Sequence, residues 1–104
     1  AANGGNVIAQ RNAGVLYRNG QGTPQDYEEA VRWFRKAARQ GEARSQYLLG
    51  RQYLMGTGVE QSTEEALRWY HLAAEKGDQD AMRGIGIILD LKGDAHEEAR
   101  SRYM

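Results

Sequence analysis

GVLYRNGQGTPQDYEEAVRWFRKAARQG, from Gly14 to Gly41, and GRQYLMGTGVEQSTEEALRWYHLAAEKG, from Gly50 to Gly77, are one pattern written twice, 36 residues apart. Gly14 falls on Gly50, Tyr17 on Tyr53, Gly20 and Gly22 on Gly56 and Gly58, Trp33 on Trp69, and Ala37-Ala38 on Ala73-Ala74. A fixed period of that length marks an array of small units that bury their apolar faces by stacking on one another.

The register reaches past both copies. Ala1-Ala2 and Gly5 match Ala37-Ala38 and Gly41, and downstream the match continues through Ala81 and Gly86. Residues 1–5 therefore read as the tail of a preceding repeat, 6–41 as repeat one, 42–77 as repeat two and 78–104 as a partial, shortened third repeat. The chain is expected to be a piece of a longer array. In the third unit the loop near Lys92-Gly93 is three residues shorter, and Arg102 stands where Trp33 and Trp69 stood. The chain reaches Met104 before another AAxxG.

Each unit reads as two helices. The first carries small or apolar residues at Ala9, Ala13 and Tyr17, then Ser45, Leu49 and Tyr53, then Ala81, Ile85 and Leu89, the i, i+4, i+8 stripe of a buried helix face. Gly14, Gly50 and Gly86 follow the middle member of each stripe. A helical glycine costs roughly 1 kcal/mol against alanine, so three at one register predict close approach between helices. The second helix opens on Asp26 with Glu29, Ser62 with Glu65, and Asp94 with Glu97, each a cap residue followed three later by Glu. Gly41 and Gly77 sit where a helix end favours a left-handed residue. No segment alternates long enough for a strand. The expected fold is all-α, an α/α solenoid of stacked antiparallel helix pairs.

Composition narrows the function. The 104 residues carry 14 basic and 14 acidic side chains, and zero net charge gives no global pull toward nucleic acid or an anionic membrane. No apolar run reaches the length of a membrane span. With no Cys, disulfides, thiolate metal sites and cysteine nucleophiles are excluded, while cytoplasm and periplasm both stay open. Eleven of the basic residues are Arg, the better side chain for forked contacts to carboxylates.

Motifs that could carry chemistry have plainer readings. The Gly20/Gly22 and Gly56/Gly58 loops lack the third glycine or Lys-Ser/Thr pair of a phosphate loop. They also precede helices that open on two glutamates, which would repel an anion. Glu28-Glu29, Glu64-Glu65 and Glu97-Glu98 are adjacent on helices and diverge by about 100°, so they do not converge on one substrate. His71 and His96 lack the i, i+4 partner of a helical metal site. Ser45, Ser62 and Ser101 lack a nearby base in a recognisable order. Trp33 and Trp69, at one register beside Phe34 and Tyr70, read as inter-helix packing. No catalytic residue, metal site or cofactor is expected.

The paired pattern resembles the Sel-1-like repeat family, relatives of the tetratricopeptide repeats: a glycine-tyrosine first helix, YxxGxG, and a capped A-xx-W-[FY] helix ending in AAxxG. The resemblance covers most of the chain. It implies a non-catalytic scaffold or adaptor that binds a partner protein or peptide, or inhibits one, on the concave face lined by the first helices. Carried over by register, that face includes Ile8, Arg11, Val15, Arg18 and Asn19, then Arg44, Tyr47, Arg51, Leu54 and Met55, then Asp80, Arg83, Ile87, Asp90 and Leu91. These positions differ between copies, as positions free of the stacking core should. Arginines interleaved with apolar residues suit an acidic or carboxylate-bearing partner segment, and they read equally well as a solvated helix face. Self-association through exposed solenoid ends is the second reading; nucleic acid and membrane insertion are not expected.

Overall fold

The computed structural model describes residues 6–101, and the side chains of residues 6–90. Its helices are α1 (Val7–Asn19), α2 (Tyr27–Arg39), α3 (Ala43–Met55), α4 (Thr63–Glu75) and α5 (Gln79–Ser101), with no strand among the described residues. The expected matches at Ala1, Ala2, Gly5, Arg102 and Met104 lie outside the described residues, as do the side chains of Leu91, Asp94, His96, Glu97, Glu98 and Ser101.

The second helices of the first two units start where expected. The Asp26 carboxylate accepts from Glu29 N at 3.1 Å, and the Ser62 hydroxyl accepts from Glu65 N at 3.1 Å. A second set of caps recurs at the same period and starts the first helices. Asn6 accepts from Ala9 N, Glu42 from Ser45 N and Asp78 from Ala81 N, at 3.0, 2.9 and 2.9 Å.

Between the helices of a pair, Gly20 and Gly56 both take φ 71°, the left-handed conformation that ends a helix at glycine. Their N–H groups donate to Leu16 O and Gln52 O. The chain then returns, Asp26 N donating to Tyr17 O at 2.8 Å and Ser62 N to Tyr53 O at 2.9 Å. The amides of Gly20 and Gly56 are spent on closing the preceding helix, which makes these loops turns.

The substantial helix contacts run α1 to α2, α2 to α3, α3 to α4 and α4 to α5, the nearest-neighbour pattern of a solenoid. The molecule measures 56 × 27 × 17 Å with a radius of gyration of 15.6 Å, against about 13 Å for a compact domain of this length. Two core clusters lie along it. Ala30, Val31, Phe34, Ala38, Leu48 and Leu49 form one, and Ala66, Tyr70, Ala73, Ala81 and Ile88 the other. Tyr47 and Tyr53 pack against both, joining them into one continuous core. The fully buried aromatics are Phe34 and Tyr70; the tryptophans preceding them are half-buried.

Gly14 and Gly50 are close-packing positions: a Cβ at Gly14 would meet Phe34 Cε1 at 2.5 Å, and one at Gly50 would meet Tyr70 Cδ1 at 2.7 Å. Gly86 is not, because nothing lies within 4 Å of a Cβ placed there. The aromatic that fills this space comes 20 residues later in the first two units, and in the third the described chain runs on as helix to Ser101. The turn expected near Lys92-Gly93 and the helix start expected at Asp94 are replaced by the unbroken α5. A lone Gly93 without the GxG pair lowers helix propensity but does not terminate a helix. No return helix covers Leu89 among the described residues; it is 53% exposed, and Ile88 occupies the core. Ala9, likewise expected in the buried stripe, is also exposed.

Candidate functional site

Helices α1, α3 and α5 bring several of the predicted residues to two adjoining depressions that share Arg51. One, of about 290 Å3, is lined by Arg18 and Asn19 of α1, Gln25 and Tyr27 at the start of α2, Arg51, Gln52 and Met55 of α3, and Thr57. The other, of about 370 Å3, is lined by Tyr47 and Arg51 of α3, Tyr70 of α4, and Asp80, Arg83, Gly84 and Ile87 of α5. Arg11, Val15, Arg44, Leu54 and Asp90 line neither.

Their partners explain the division. Arg11 pairs with the capping carboxylate Glu42 at 2.5 Å, binding α1 to the start of α3. Glu42 also accepts from the Ser45 hydroxyl. Arg44 reaches Asp78 at 3.4 Å and Asp80 at 2.7 Å, tying α3 to α5, while its guanidinium lies 4.8 Å from the Tyr47 ring centre. The hydrogen bond from Arg44 holds the Asp80 carboxyl below its usual range, and that bond raises the guanidinium in turn. Arg83 donates to Asp80 at 3.2 Å. Val15 and Leu54 are half-buried and pack against the core clusters, whereas Asp90 is exposed.

Arg18 and Arg51 differ from these. Neither has a carboxylate partner among the described residues. Arg18 Nε donates to Asn19 Oδ1 at 3.2 Å, and Arg51 makes a 3.9 Å contact with Met55 Sδ. Arg18 is half-buried; burial, then the charge of Arg51, lowers its guanidinium below the ordinary value. Gln25 Nε2 donates to Arg18 O at 2.8 Å and to the Tyr27 hydroxyl at 3.1 Å.

In the second depression the Tyr47 and Tyr70 rings stack with centres 5.5 Å apart. Gly84 packs directly on Tyr70, since a Cβ there would lie 2.8 Å from Tyr70 Cε2. Ile87 is 54% exposed. Gln25, Tyr27 and Tyr70 lie in a turn and on second helices, outside the first-helix register, and Gly84 lies on a first helix at a position that the register does not carry over. The Gln25/Gln61 repeat was the available signal: both side-chain amides donate to a carbonyl seven residues back, Arg18 O and Leu54 O.

Among the described residues no group of three or more His, Cys, Asp or Glu side chains could hold a metal ion. No helix among them is long and apolar enough to cross a membrane.

A family model described as Sel1 repeat matches residues 7–42 and 43–78. The fold is similar to the crystal structure of a Sel1 repeat protein from Oxalobacter formigenes, with 40% identity and a TM-score of 0.78 over 80% of this chain and 34% of that one. It is also similar to a protective antigen present in uropathogenic Escherichia coli strains and displaying an SLR fold, with 38% identity and a TM-score of 0.77 over 91% of this chain and 19% of that one. Cysteine rich protein B of Helicobacter pylori shares 25% identity, with a TM-score of 0.70 over 73% of this chain and 57% of that one. The chain thus spans between about a fifth and somewhat over half the length of these structures. No curated protein compared with the sequence matches it.

Proposed function

The chain belongs to the Sel1 repeat family, and on that premise we propose that it binds a segment of a partner protein along the face formed by α1, α3 and α5. Proteins of the family are generally protein-interaction scaffolds and typically non-catalytic. The observation that carries the placement is the groove shared through Arg51. Equivalent positions on the first-helix face read Val15, Arg51 and Ile87, or Arg11, Tyr47 and Arg83. The stacking positions instead read Gly14 and Gly50, Ala30 and Ala66, Phe34 and Tyr70. Packing holds the second set to small residues and one aromatic, whereas the first set changes character from copy to copy.

Two arginines without carboxylate partners favour an acidic segment, and exposed Ile87 beside Tyr47 favours an apolar anchor. Quantitative proteomic capture tests the reading, with the chain and its Arg51→Ala/Ile87→Ala variant as parallel baits. Proteins enriched on the first and depleted on the second support it; identical capture by both places the site elsewhere.

Self-association has its own observation. Ile8 and Leu16 on α1, and Met82 and Leu89 on α5, are each more than two-fifths exposed, leaving apolar surface on the first and last described helices. A mass that rises with concentration in light scattering supports this second reading, and a constant monomer mass removes it.

A further inference from the structure

We propose that the groove is divided, with Arg18 and Arg51 receiving an oxyanion of the partner segment and the Tyr47–Ile87 depression receiving an adjacent apolar side chain. This rests on the reading of a partner-binding face and specifies which part of that face does what.

The five arginines of the face fall into two classes. Arg11, Arg44 and Arg83 each contact a carboxylate, and the first two join one repeat to the next. Their charge is already answered within the fold. Arg18 and Arg51 line one depression, and none of its eight lining residues is acidic. Two guanidiniums brought together without a counter-charge repel each other, and an oxyanion between them would relieve the repulsion while accepting several N–H donors. Burial first, and then the charge of Arg51, lowers Arg18.

Tyr27 supplies a neutral donor. Its hydroxyl oxygen already accepts from Gln25 Nε2, which leaves the hydroxyl proton to donate into the depression. On the other side of Tyr27 the surface changes sign, where Asp26, Glu28 and Glu60 line a separate recess. An anion is therefore confined to the Arg18–Arg51 side.

The second depression has the opposite character. Besides the shared Arg51, its charged residues Arg83 and Asp80 bond to each other, and Ile87, Gly84 and Tyr47, whose ring stacks on buried Tyr70, present apolar surface beside them. Arg51 borders both depressions, so a short segment can place a charged group in one and an aliphatic group in the other.

The shared chemistry of the first half is a carboxylate or a phosphate, and NMR of the 15N-labelled chain distinguishes them. Acetyl-glutamate amide, acetyl-glutamine amide and acetyl-phosphoserine amide are titrated while arginine Nε–H and backbone resonances are followed. A saturable shift at Arg18 and Arg51 with glutamate or phosphoserine, and none with glutamine, supports the proposal; the tighter of the two names the source. Arg18→Gln/Arg51→Gln should weaken that response by about tenfold or more, whereas Arg11→Gln should leave it unchanged. The comparison between glutamate and glutamine is made on the unaltered chain, so it does not depend on how any variant folds. Equal shifts with glutamine, equal shifts at Arg11 and Arg44, or no saturation overturn the oxyanion half.

Acetyl-capped peptides that place Leu at each short spacing from the anion test the other half. One spacing should bind about tenfold tighter than the anion alone, with the gain lost in Ile87→Ser. No gain at any spacing overturns the divided groove. If these probes fail while a captured partner still contacts Ile87, the partner-binding reading stands and only the division falls.

Discussion

Gly50 and Tyr70 lie closer than a methyl group allows: a Cβ on Gly50 would stand 2.7 Å from both Tyr70 Cδ1 and Cε1, and 3.1 Å from Ala66 O. Gly14 holds the same relation to Phe34. The glycine of the first helix and the aromatic of the second are thus one packing element, repeated with the period of the chain.

Gly50→Ala should therefore destabilise the chain by about 1–3 kcal/mol through overpacking, although alanine is the better helix former by about 1 kcal/mol. Gly86→Ala should do the reverse and stabilise by up to about 1 kcal/mol, since a Cβ there meets open space. Urea unfolding of the two variants checks both signs. The same sign for both would remove the packing account.

The difference between these glycines marks how far the sequence could be read. The period placed Gly14, Gly50 and Gly86 at one register, but whether a glycine is crowded depends on the helix that folds back over it. That helix is present in the first two units, and in the third α5 runs on through Lys92-Gly93. The caps Asn6, Glu42 and Asp78 repeat as faithfully as Asp26 and Ser62, yet they lack a Glu three residues on and did not stand out. The arginine register was legible; the arginine partners were not. Arg11 meets Glu42 31 residues away, and Arg44 meets Asp78 and Asp80 34 and 36 away. Such pairs exist only once one repeat is stacked on the next.

Glu42→Ala should cost about 2 kcal/mol, because it removes the α3 cap and the Arg11 partner together. Arg32→Ala should stay within about 0.5 kcal/mol, since Arg32 is 72% exposed in its pair with Glu29 and such pairs are worth little. Chemical denaturation of both variants tests the contrast. Equal losses would mean that the Glu42 carboxylate is not a junction between repeats.

Tyr70 gives the chain an alkaline limit. Burial, aided by Tyr47, pushes its phenol from 10.0 up to about 12. Below pH 10 the phenol is protonated in both states. Between about 10 and 12 only the unfolded chain releases the proton, so stability falls as pH rises. This contribution reaches about 3 kcal/mol and is absent in Tyr70→Phe, a replacement the fold accepts because Phe34 holds the equivalent place. Urea midpoints at pH 9 and pH 12 should drop further for the unaltered chain than for the variant. Parallel drops would contradict the burial of this phenol.

The most direct test of the partner-binding face is site-specific photo-crosslinking to a captured partner. A photoreactive phenylalanine derivative replaces Ile87 on the first-helix face in one sample and Leu72 of α4 in another, at positions 54% and 42% exposed. Adducts from position 87 and none from position 72 are the expected result. Adducts from position 72 with none from position 87 would contradict the account and move the binding surface to the second helices.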